Sequence, residues 1–398
     1  MKIAFFKNNN AIELVLLLLC PLLAVPFIIS GIAKGKQNNL VLLSFVMAIL
    51  AFIFPPFADL YRHTQQYLHF QIYGNSGLVF YGSNFDFIFY TLSNFFAKNN
   101  IPFEYIRSIF VFISYQISFY LYKRCLKEKG VESNTKESFL LFWVFFLSVP
   151  FIWIVNGLRM ATACYIAVFG WVLVYNKRYI GLLAYIFALC LHFGSLLFAP
   201  IFIFLFLPKY SISKKAFLII TLLLFVTGGT LLSILPHSLI TKLNMQSNVD
   251  YYMKNSSKTF DSVMSVNGLI AMYLERIMLV YIYMKALFGI SALYNKKDDF
   301  IVKNCLILWL AFLPFTILFQ KISLFIIPIV LFLVLKSLDD YKMLKNIVLC
   351  CIISFVSYLY GYRKPFLNTP IYEMFTTPAY IFMNADTKNT FEQRAILK

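Results

Sequence analysis

The chain has 398 residues, of which 61% are apolar and only 13% are charged. A mean hydropathy of +0.76 excludes a soluble globular protein of this length and indicates one bundle of membrane-spanning helices. The net charge of +18 does not indicate nucleic-acid binding, because basic residues spread over short loops are typical of membrane topology and of contact with anionic lipid.

The N-terminal segment is predicted to be a membrane span and not a cleaved signal peptide. The apolar run at 11–33 is longer than the core of a signal peptide, and no small-residue cleavage site follows it. Runs of about 20 apolar residues, with shorter ones where a segment bends or re-enters, define about twelve transmembrane helices along the chain. The sequence therefore predicts an all-α polytopic membrane protein with a single membrane-embedded domain over residues 1–398. The predicted spans are 11–33, 38–55, 104–122, 138–155, 158–175, 179–191, 194–208, 215–235, 268–294, 300–318, 322–338 and 344–360.

The basic residues of short loops set the predicted orientation. The loop at 123–137 contains five basic residues, so the positive-inside rule places it in the cytoplasm. Counting crossings in both directions from this loop places both termini outside. The predicted outer regions are residues 57–103, the tight turn 156–158, the loop 236–267 and the C-terminal tail 361–398.

The ionisable side chains gather in these outer regions. If residues 58–70 are helical, Asp59, Arg62, His63 and Gln66 form one stripe at i, i+3, i+4 and i+7. The alternative reading of that stripe is a solvated helix at the membrane interface with an Asp–Arg pair. The ionisable residues that fall in outer segments or near outer helix ends are His63, His69, His192, His237, Asp59, Arg62, Arg159, Glu275 and Arg276.

Arg159 lies in a segment, residues 153–174, that is otherwise almost entirely apolar. An arginine at the bilayer centre costs about 3 kcal/mol on insertion scales, so such a residue marks either an interface or a site. Asn156 precedes Arg159 by three residues, which places both on one helical face. Two readings remain at this point: the side chain of Arg159 extends to lipid head groups, or it belongs to a site together with the outer segments.

Four segments in this order resemble a known family. They are "FADLYRHTQQY" at 57–67, "NFDFIFYTLSNFFAKNNIPFEYIRSIF" at 84–110, "NGLRMATACYIAVFG" at 156–170 and "CLHFGSLLFAPIFI" at 190–203. In order and rough spacing they resemble the EpsG-like family of bacterial polysaccharide polymerases, to which many Wzy-type O-antigen polymerases belong. The positions that match the family pattern are Asp59, Tyr61, Arg62, Asp86, Asn156, Arg159 and His192. The chain departs from that pattern at Met160 and at Lys321, where a lysine replaces an arginine and loses bidentate phosphate recognition.

The resemblance implies a GT-C-like membrane glycosyltransferase in the bacterial inner membrane that uses no cofactor. Its donor and acceptor would be polyprenyl-pyrophosphate-linked glycans, and a chain-length regulator protein is a candidate partner. Arginine side chains suit a pyrophosphate leaving group, and a histidine or carboxylate suits the acceptor hydroxyl. The candidate catalytic residues are therefore His192, Asp59 and His63. The candidate substrate-binding residues are Arg159, Arg62, Asn156, Tyr61, Asp86 and Arg276.

Three other functions remain open from the sequence. A flippase or other transporter of lipid-linked oligosaccharides would place charges near the midplane of several helices, whereas here they fall on one side. An O-antigen ligase would differ from a polymerase only in its acceptor. A membrane acyltransferase would use an intramembrane histidine, for which His192 is the candidate. The seven cysteines lie in predicted spans or in the cytoplasmic loop, so we expect neither a disulfide nor a zinc site.

Overall fold

The computed structural model describes residues 10–74, 86–207, 213, 215–220, 223, 274, 276–288, 296–312 and 316–394. Within these residues the regular structure is helical, and no strand is present. Among the described residues, three helical stretches are long and apolar enough to cross a membrane, and they are Lys136–Asn156, Leu158–Tyr175 and Tyr341–Gly361. The chain is therefore a helical membrane protein, while the count of twelve spans stays a prediction. The predicted loop 236–267, His237 and Glu275 lie outside the described residues.

The chain divides into two compact units, and the single membrane-embedded domain stays a prediction. The first unit is Met1–Leu196 with Tyr362–Lys398, and the second is Leu197–Gly361. Numbered in chain order, the described α-helices are α1 (Ala11–Leu19), α2 (Pro21–Ala33), α3 (Asn39–Ile53), α4 (Ala58–Tyr73), α5 (Phe87–Lys98), α6 (Phe103–Lys129), α7 (Lys136–Leu147), α8 (Phe151–Asn156), α9 (Leu158–Tyr175), α10 (Gly181–Leu191), α11 (Ala199–Ile203), α12 (Ile277–Phe288), α13 (Lys296–Ala311), α14 (Thr316–Lys336), α15 (Tyr341–Gly361), α16 (Arg363–Leu367), α17 (Pro378–Met383) and α18 (Thr387–Arg394). Two 3₁₀ helices span Phe193–Phe198 and Ile371–Phe375.

The predicted first span, 11–33, is a helical hairpin and not a single crossing. Cys20 is extended, with φ −156° and ψ 93°, and Pro21 begins α2; a residue before proline disfavours the α-helical conformation, so the helix breaks there. Glu13 at the start of α1 forms an ion pair of 2.8 Å with Lys36, which follows α2. The start of α1 thus lies at the Lys36 end of the hairpin, which corrects the prediction of a single span over 11–33.

Helix α6 is the central element of the first unit and packs against α3, α7 and α9. Side-chain hydrogen bonds join these helices, as polar residues commonly do between apolar helices in membranes. Ser108 donates to the Ala48 carbonyl at 2.8 Å, and Ser118 donates to the Phe145 carbonyl at 2.8 Å. Helices α9 and α10 form a hairpin in which Gly170 and Gly181 face each other so closely that a Cβ on either would clash with the other's carbonyl oxygen.

On the side that the sequence predicts to face outwards, the first unit has a tight turn and an additional helix. Helix α8 ends at Asn156 and α9 begins at Leu158, which agrees with the predicted turn at 156–158. Helix α4 includes the whole of the segment 58–70, so the condition on which the polar stripe depends is met. The side-chain oxygen of Asn156 accepts the Leu60 N–H at 3.1 Å and so satisfies one of the unpaired donors that begin α4.

The described part of the second unit has its own apolar core and two buried ion pairs. Asp298 and Lys336 join α13 to α14 at 3.0 Å, and Asp299 pairs with Lys303 within α13 at 2.8 Å. Each of these four side chains is at least about nine-tenths buried. Pairing of this kind is what allows a charged group to remain inside a protein. Helices α12 and α15 pack together in the same unit.

Candidate functional site

Asp86 accepts hydrogen bonds from two distant segments of the first unit. Its Oδ2 atom lies 2.7 Å from Nη1 of Arg159 and 2.9 Å from Nδ1 of His192. Its Oδ1 atom accepts the backbone N–H of Phe193 at 2.8 Å. An ionised carboxylate only accepts hydrogen bonds, so Nδ1 of His192 carries the hydrogen. We refer to Asp86, Tyr90, Arg159 and His192 as the Asp86 cluster.

Helix ends position these side chains. Asp86 immediately precedes α5, and Arg159 is the second residue of α9, which begins after Gly157. His192 ends α10 in an extended conformation, with φ −155° and ψ 114°, before the 3₁₀ helix that follows it. The extended residue turns the chain so that the His192 ring and the N–H of Phe193 both face Asp86.

The surrounding groups keep Asp86 ionised. Its side chain is only 10% exposed. Burial by itself raises the pKa of Asp86, but the hydrogen bond and charge of His192, the charge of Arg159 and the N–H of Phe193 outweigh burial and lower this pKa to about 2. Opposite charges and hydrogen bonds to the ionised form both act in this direction. The carboxylate is therefore available at neutral pH to hold both Arg159 and His192.

Arg159 has several protein partners besides Asp86. Its Nη1 also donates to the Tyr90 hydroxyl at 2.7 Å. The Cζ atom lies 5.2 Å from the ring centroid of Tyr90 and 5.4 Å from that of Phe89, which are distances typical of cation–π contact. The side chain is still 20% exposed. These contacts favour the reading in which Arg159 belongs to a site.

His63 is adjacent to the Asp86 cluster, separated from Arg159 by Phe89. The ring centroids of His63 and Phe89 are 5.1 Å apart, and Nδ1 of His63 lies 3.2 Å from Oε1 of Gln66. His63 is 6% exposed. Burial, together with the charge of Arg159, holds the pKa of His63 well below its ordinary value of 6.5. The imidazole is therefore neutral at neutral pH.

The other predicted site residues lie outside the Asp86 cluster. Asp59 and Arg62 pair with each other on the exposed face of α4, and the Tyr61 ring packs on Phe391 with centroids 4.6 Å apart. The predicted stripe on α4 thus divides, because His63 is buried and Gln66 is partly buried, whereas the Asp59 and Arg62 side chains are 44% and 69% exposed. Asn156 bonds to the backbone of α4, and Arg276 is buried in the second unit.

Two members of the arrangement were not predicted from the sequence. Tyr90 follows Asp86 by four residues, so one helical turn brings both to the same face of α5, and this spacing was the available signal. No sequence pattern could indicate the backbone N–H of Phe193, because every residue except proline has a backbone N–H. Among the residues that the structure describes, no three His, Cys, Asp or Glu side chains lie together as metal ligands would.

Comparison with known proteins gives one match. The family model described as the EpsG family matches residues 57–372, a range that includes Asp86, Arg159 and His192. No curated protein and no solved structure matches the chain. Because the match covers well over half of the sequence, and because EpsG is a Wzy-like polymerase family, the chain belongs to the EpsG family of membrane polysaccharide polymerases.

Proposed function

We propose that the protein polymerises polyprenyl-pyrophosphate-linked oligosaccharide repeat units into O-antigen or a related surface polysaccharide. The reaction would be a glycosyl transfer at the periplasmic face of the bacterial inner membrane. One observation carries the proposal beyond family membership: the Asp86 carboxylate holds a guanidinium and an imidazole together, at 2.7 Å and 2.9 Å. These are the two groups that such a transfer requires, a cation for the leaving pyrophosphate and a base for the acceptor hydroxyl.

Arg159 is assigned to the pyrophosphate of the donor. As the bond between the anomeric carbon and the phosphate oxygen breaks, negative charge develops on the pyrophosphate. A guanidinium at a partly dehydrated position stabilises that charge through charge-assisted hydrogen bonds, each worth about 1.5–3 kcal/mol. Arg62 is a second candidate for this role, although its side chain is exposed and paired with Asp59.

His192 is assigned as the general base. Asp86 holds the Nδ1–H of the ring, so in the neutral imidazole the nitrogen that can accept a proton is Nε2. The acceptor hydroxyl would give its proton to Nε2 while its oxygen forms the new bond to the anomeric carbon and the pyrophosphate leaves with the bonding electron pair. His63 is a weaker candidate because its pKa is lowered by burial, and Asp59 is a weaker one because it faces outwards.

The biological test is deletion of the gene, followed by gel display of the surface polysaccharide. Loss of a polymerase should leave a single repeat unit attached, whereas loss of a flippase or a ligase should leave none. The ladder pattern therefore separates the proposal from the two alternatives with the same lipid-linked substrate. A normal ladder in the deletion strain would contradict the proposal. The GT-C-like architecture and the chain-length regulator stay predictions.

The molecular test is substitution of Arg159. We expect Arg159→Ala to abolish most polymerisation, and Arg159→Lys to recover only part of it, because a point charge cannot reproduce the planar fork of the guanidinium. Arg178→Ala is the matched control, since Arg178 is exposed at the opposite end of α9. The amount of each variant in the membrane fraction is measured first. If Arg159→Ala is inserted at a normal level and still makes full-length polysaccharide, the assignment of Arg159 to the site is wrong.

A further inference from the structure

The side chain of Arg159 is held through a single nitrogen. Nη1 carries two hydrogens, and it donates to Oδ2 of Asp86 and to the hydroxyl of Tyr90, each at 2.7 Å. Both acceptors are provided by one short segment, the residue before α5 and the first turn of that helix. Tyr90 is 4% exposed, so its ring has little room to move. The two bonds therefore come from one rigid element.

Two acceptors on one nitrogen fix the whole guanidinium. The group is planar, with five N–H donors in a fixed geometry, so a single hydrogen bond still allows the plane to rotate about the bond, whereas a second one prevents this. The rings of Tyr90 and Phe89, at 5.2 Å and 5.4 Å from Cζ, further limit the orientation. The remaining edge, formed by Nε and Nη2, makes no hydrogen bond with any residue that the structure describes.

The chemical nature of the second acceptor also matters. Asp86 already balances the charge of Arg159, so a second carboxylate in place of Tyr90 would make the group net negative and repel an anion. A phenol hydroxyl is uncharged, so it fixes the orientation of the guanidinium without adding negative charge. The Nε–Nη2 edge has the spacing of two parallel N–H donors, which is the arrangement that binds two oxygens of one phosphate group.

We propose that Tyr90 is a positioning residue that directs the Nε–Nη2 edge of Arg159 towards the phosphate oxygens of the lipid-linked pyrophosphate. This inference rests on the proposed function, because it takes Arg159 as the pyrophosphate-binding residue. It adds the edge of Arg159 that meets the anion and the residue that sets the orientation of that edge. Tyr90 acts through Arg159, so its contribution should exist only when Arg159 is present.

The test is a double-mutant cycle on ligand binding. Purified full-length protein in detergent is titrated with undecaprenyl pyrophosphate and, in parallel, with undecaprenyl monophosphate. We expect Tyr90→Phe, which keeps the ring and removes the hydroxyl, to raise the Kd for the pyrophosphate about tenfold, equivalent to about 1.4 kcal/mol. In an Arg159→Ala background the same change should have no further effect. Tyr122→Phe is the control, since Tyr122 is equally buried and bonds to Ser138 at 2.6 Å.

The outcomes separate this inference from the proposed function. If Arg159→Ala leaves both the Kd and polymerisation unchanged, the assignment of the site itself is wrong. If Arg159→Ala weakens binding but Tyr90→Phe does not, or if the two effects add, Tyr90 has only a packing role and the inference is wrong. The thermal unfolding midpoint of each variant is measured alongside, because a packing defect would lower this midpoint in the double variant as well, whereas loss of orientation would not.

Discussion

At the scale of single residues, Asp86 determines how the candidate site is arranged. It is one buried carboxylate between an arginine and a histidine that are distant in sequence, and it bonds to both through the same oxygen, Oδ2. The charge of Arg159 and the hydrogen bonds from His192 and the Phe193 N–H explain why the carboxylate remains ionised despite its burial. The same contacts orient the His192 ring and hold the Arg159 side chain against Asp86. In the proposed function, Asp86 would thus orient both groups for their roles.

The choice of base can be tested at this scale. We expect His192→Ala to lower the rate of glycosyl transfer by about 10²–10⁴-fold, the usual contribution of a positioned general base. Asp59→Asn should have a much smaller effect, because Asp59 is exposed and pairs with Arg62 on the outer face of α4. Transfer is measured on membrane vesicles with lipid-linked repeat units. A larger loss in Asp59→Asn than in His192→Ala would reverse the assignment.

The ionisation of Asp86 predicts a dependence of stability on pH. Its pKa falls from 3.8 to about 2 in the folded protein, which corresponds to about 2 kcal/mol in favour of the ionised folded state. Because the folded pKa is lowered, this contribution is present above about pH 4 and is lost as the pH falls towards 2. The difference in unfolding midpoint between the natural protein and Asp86→Asn should therefore be larger at pH 5 than at pH 3. An equal difference at both pH values would contradict this account.

At the scale of helices, the first unit assembles its site from helix termini. Asp86 precedes α5, Arg159 begins α9, His192 ends α10, and Asn156 ends α8 while it caps α4. Helix ends leave backbone groups unpaired, and they let the chain change direction. A membrane helix can therefore place polar groups at its end while its apolar length stays in lipid. The site residues are consequently few, and they come from distant parts of the sequence.

The C-terminal tail contacts two other helix ends of the first unit, the beginning of α6 and the end of α3. The hydroxyl oxygen of Thr387, in α18, accepts the Phe103 N–H at 2.9 Å and donates to Glu104 at 2.5 Å. Glu104 in turn lies 3.8 Å from Arg107, whose guanidinium donates to the carbonyl of Phe54 at the end of α3. The tail thus connects to the beginning of α6 and the end of α3 through buried polar groups.

This connection predicts a measurable loss of stability. Thr387→Val keeps the shape of the side chain but removes the acceptor of the Phe103 N–H and the hydrogen-bond donor to Glu104, which should cost about 1–3 kcal/mol. We expect a lower unfolding midpoint and faster proteolysis of the tail. Thr390→Val is the control on the same helix, because the Thr390 side chain makes no hydrogen bond with the described residues. Equal behaviour of the two variants would show that the Thr387 bonds contribute nothing to tail docking.

At the scale of the whole molecule, the hairpin of α1 and α2 changes the predicted topology. Glu13 pairs with Lys36 at 2.8 Å, so the beginning of α1 and the end of α2 lie together. The positive-inside rule predicts that Lys34 and Lys36 are cytoplasmic, and on that prediction the start of α1 lies on the cytoplasmic side as well. The orientation of the later helices is unaffected, since it depends on the basic loop at 123–137.

The topology prediction can be checked with an impermeant thiol reagent in a cysteine-free background. Gln65→Cys, on an exposed position of α4, should react from outside the inner membrane. Ala11→Cys, exposed at the start of α1, should react only after the membrane is permeabilised. Labelling of Ala11→Cys in intact cells would instead support the sequence-based prediction of an outer N-terminus. Labelling of Gln65→Cys only after permeabilisation would place the Asp86 cluster on the cytoplasmic side and contradict the proposed function.

The sequence by itself determined the class of the protein, because a membrane span requires only a long apolar run, and that is a local property. It also showed the helical spacing of polar residues in 58–70 and predicted the turn at Asn156, since periodicity and spacing are local. The family resemblance pointed to Asp86, Arg159 and His192.

Only the tertiary structure decided which candidate residues meet: Tyr90 and the N–H of Phe193 join them, whereas Asp59 and Arg62 do not. Contacts between residues 73 and 106 positions apart depend on how helices pack, and local sequence does not specify that packing. The prediction of a single span over 11–33 was wrong for the same reason, because an apolar run does not indicate where the chain turns back.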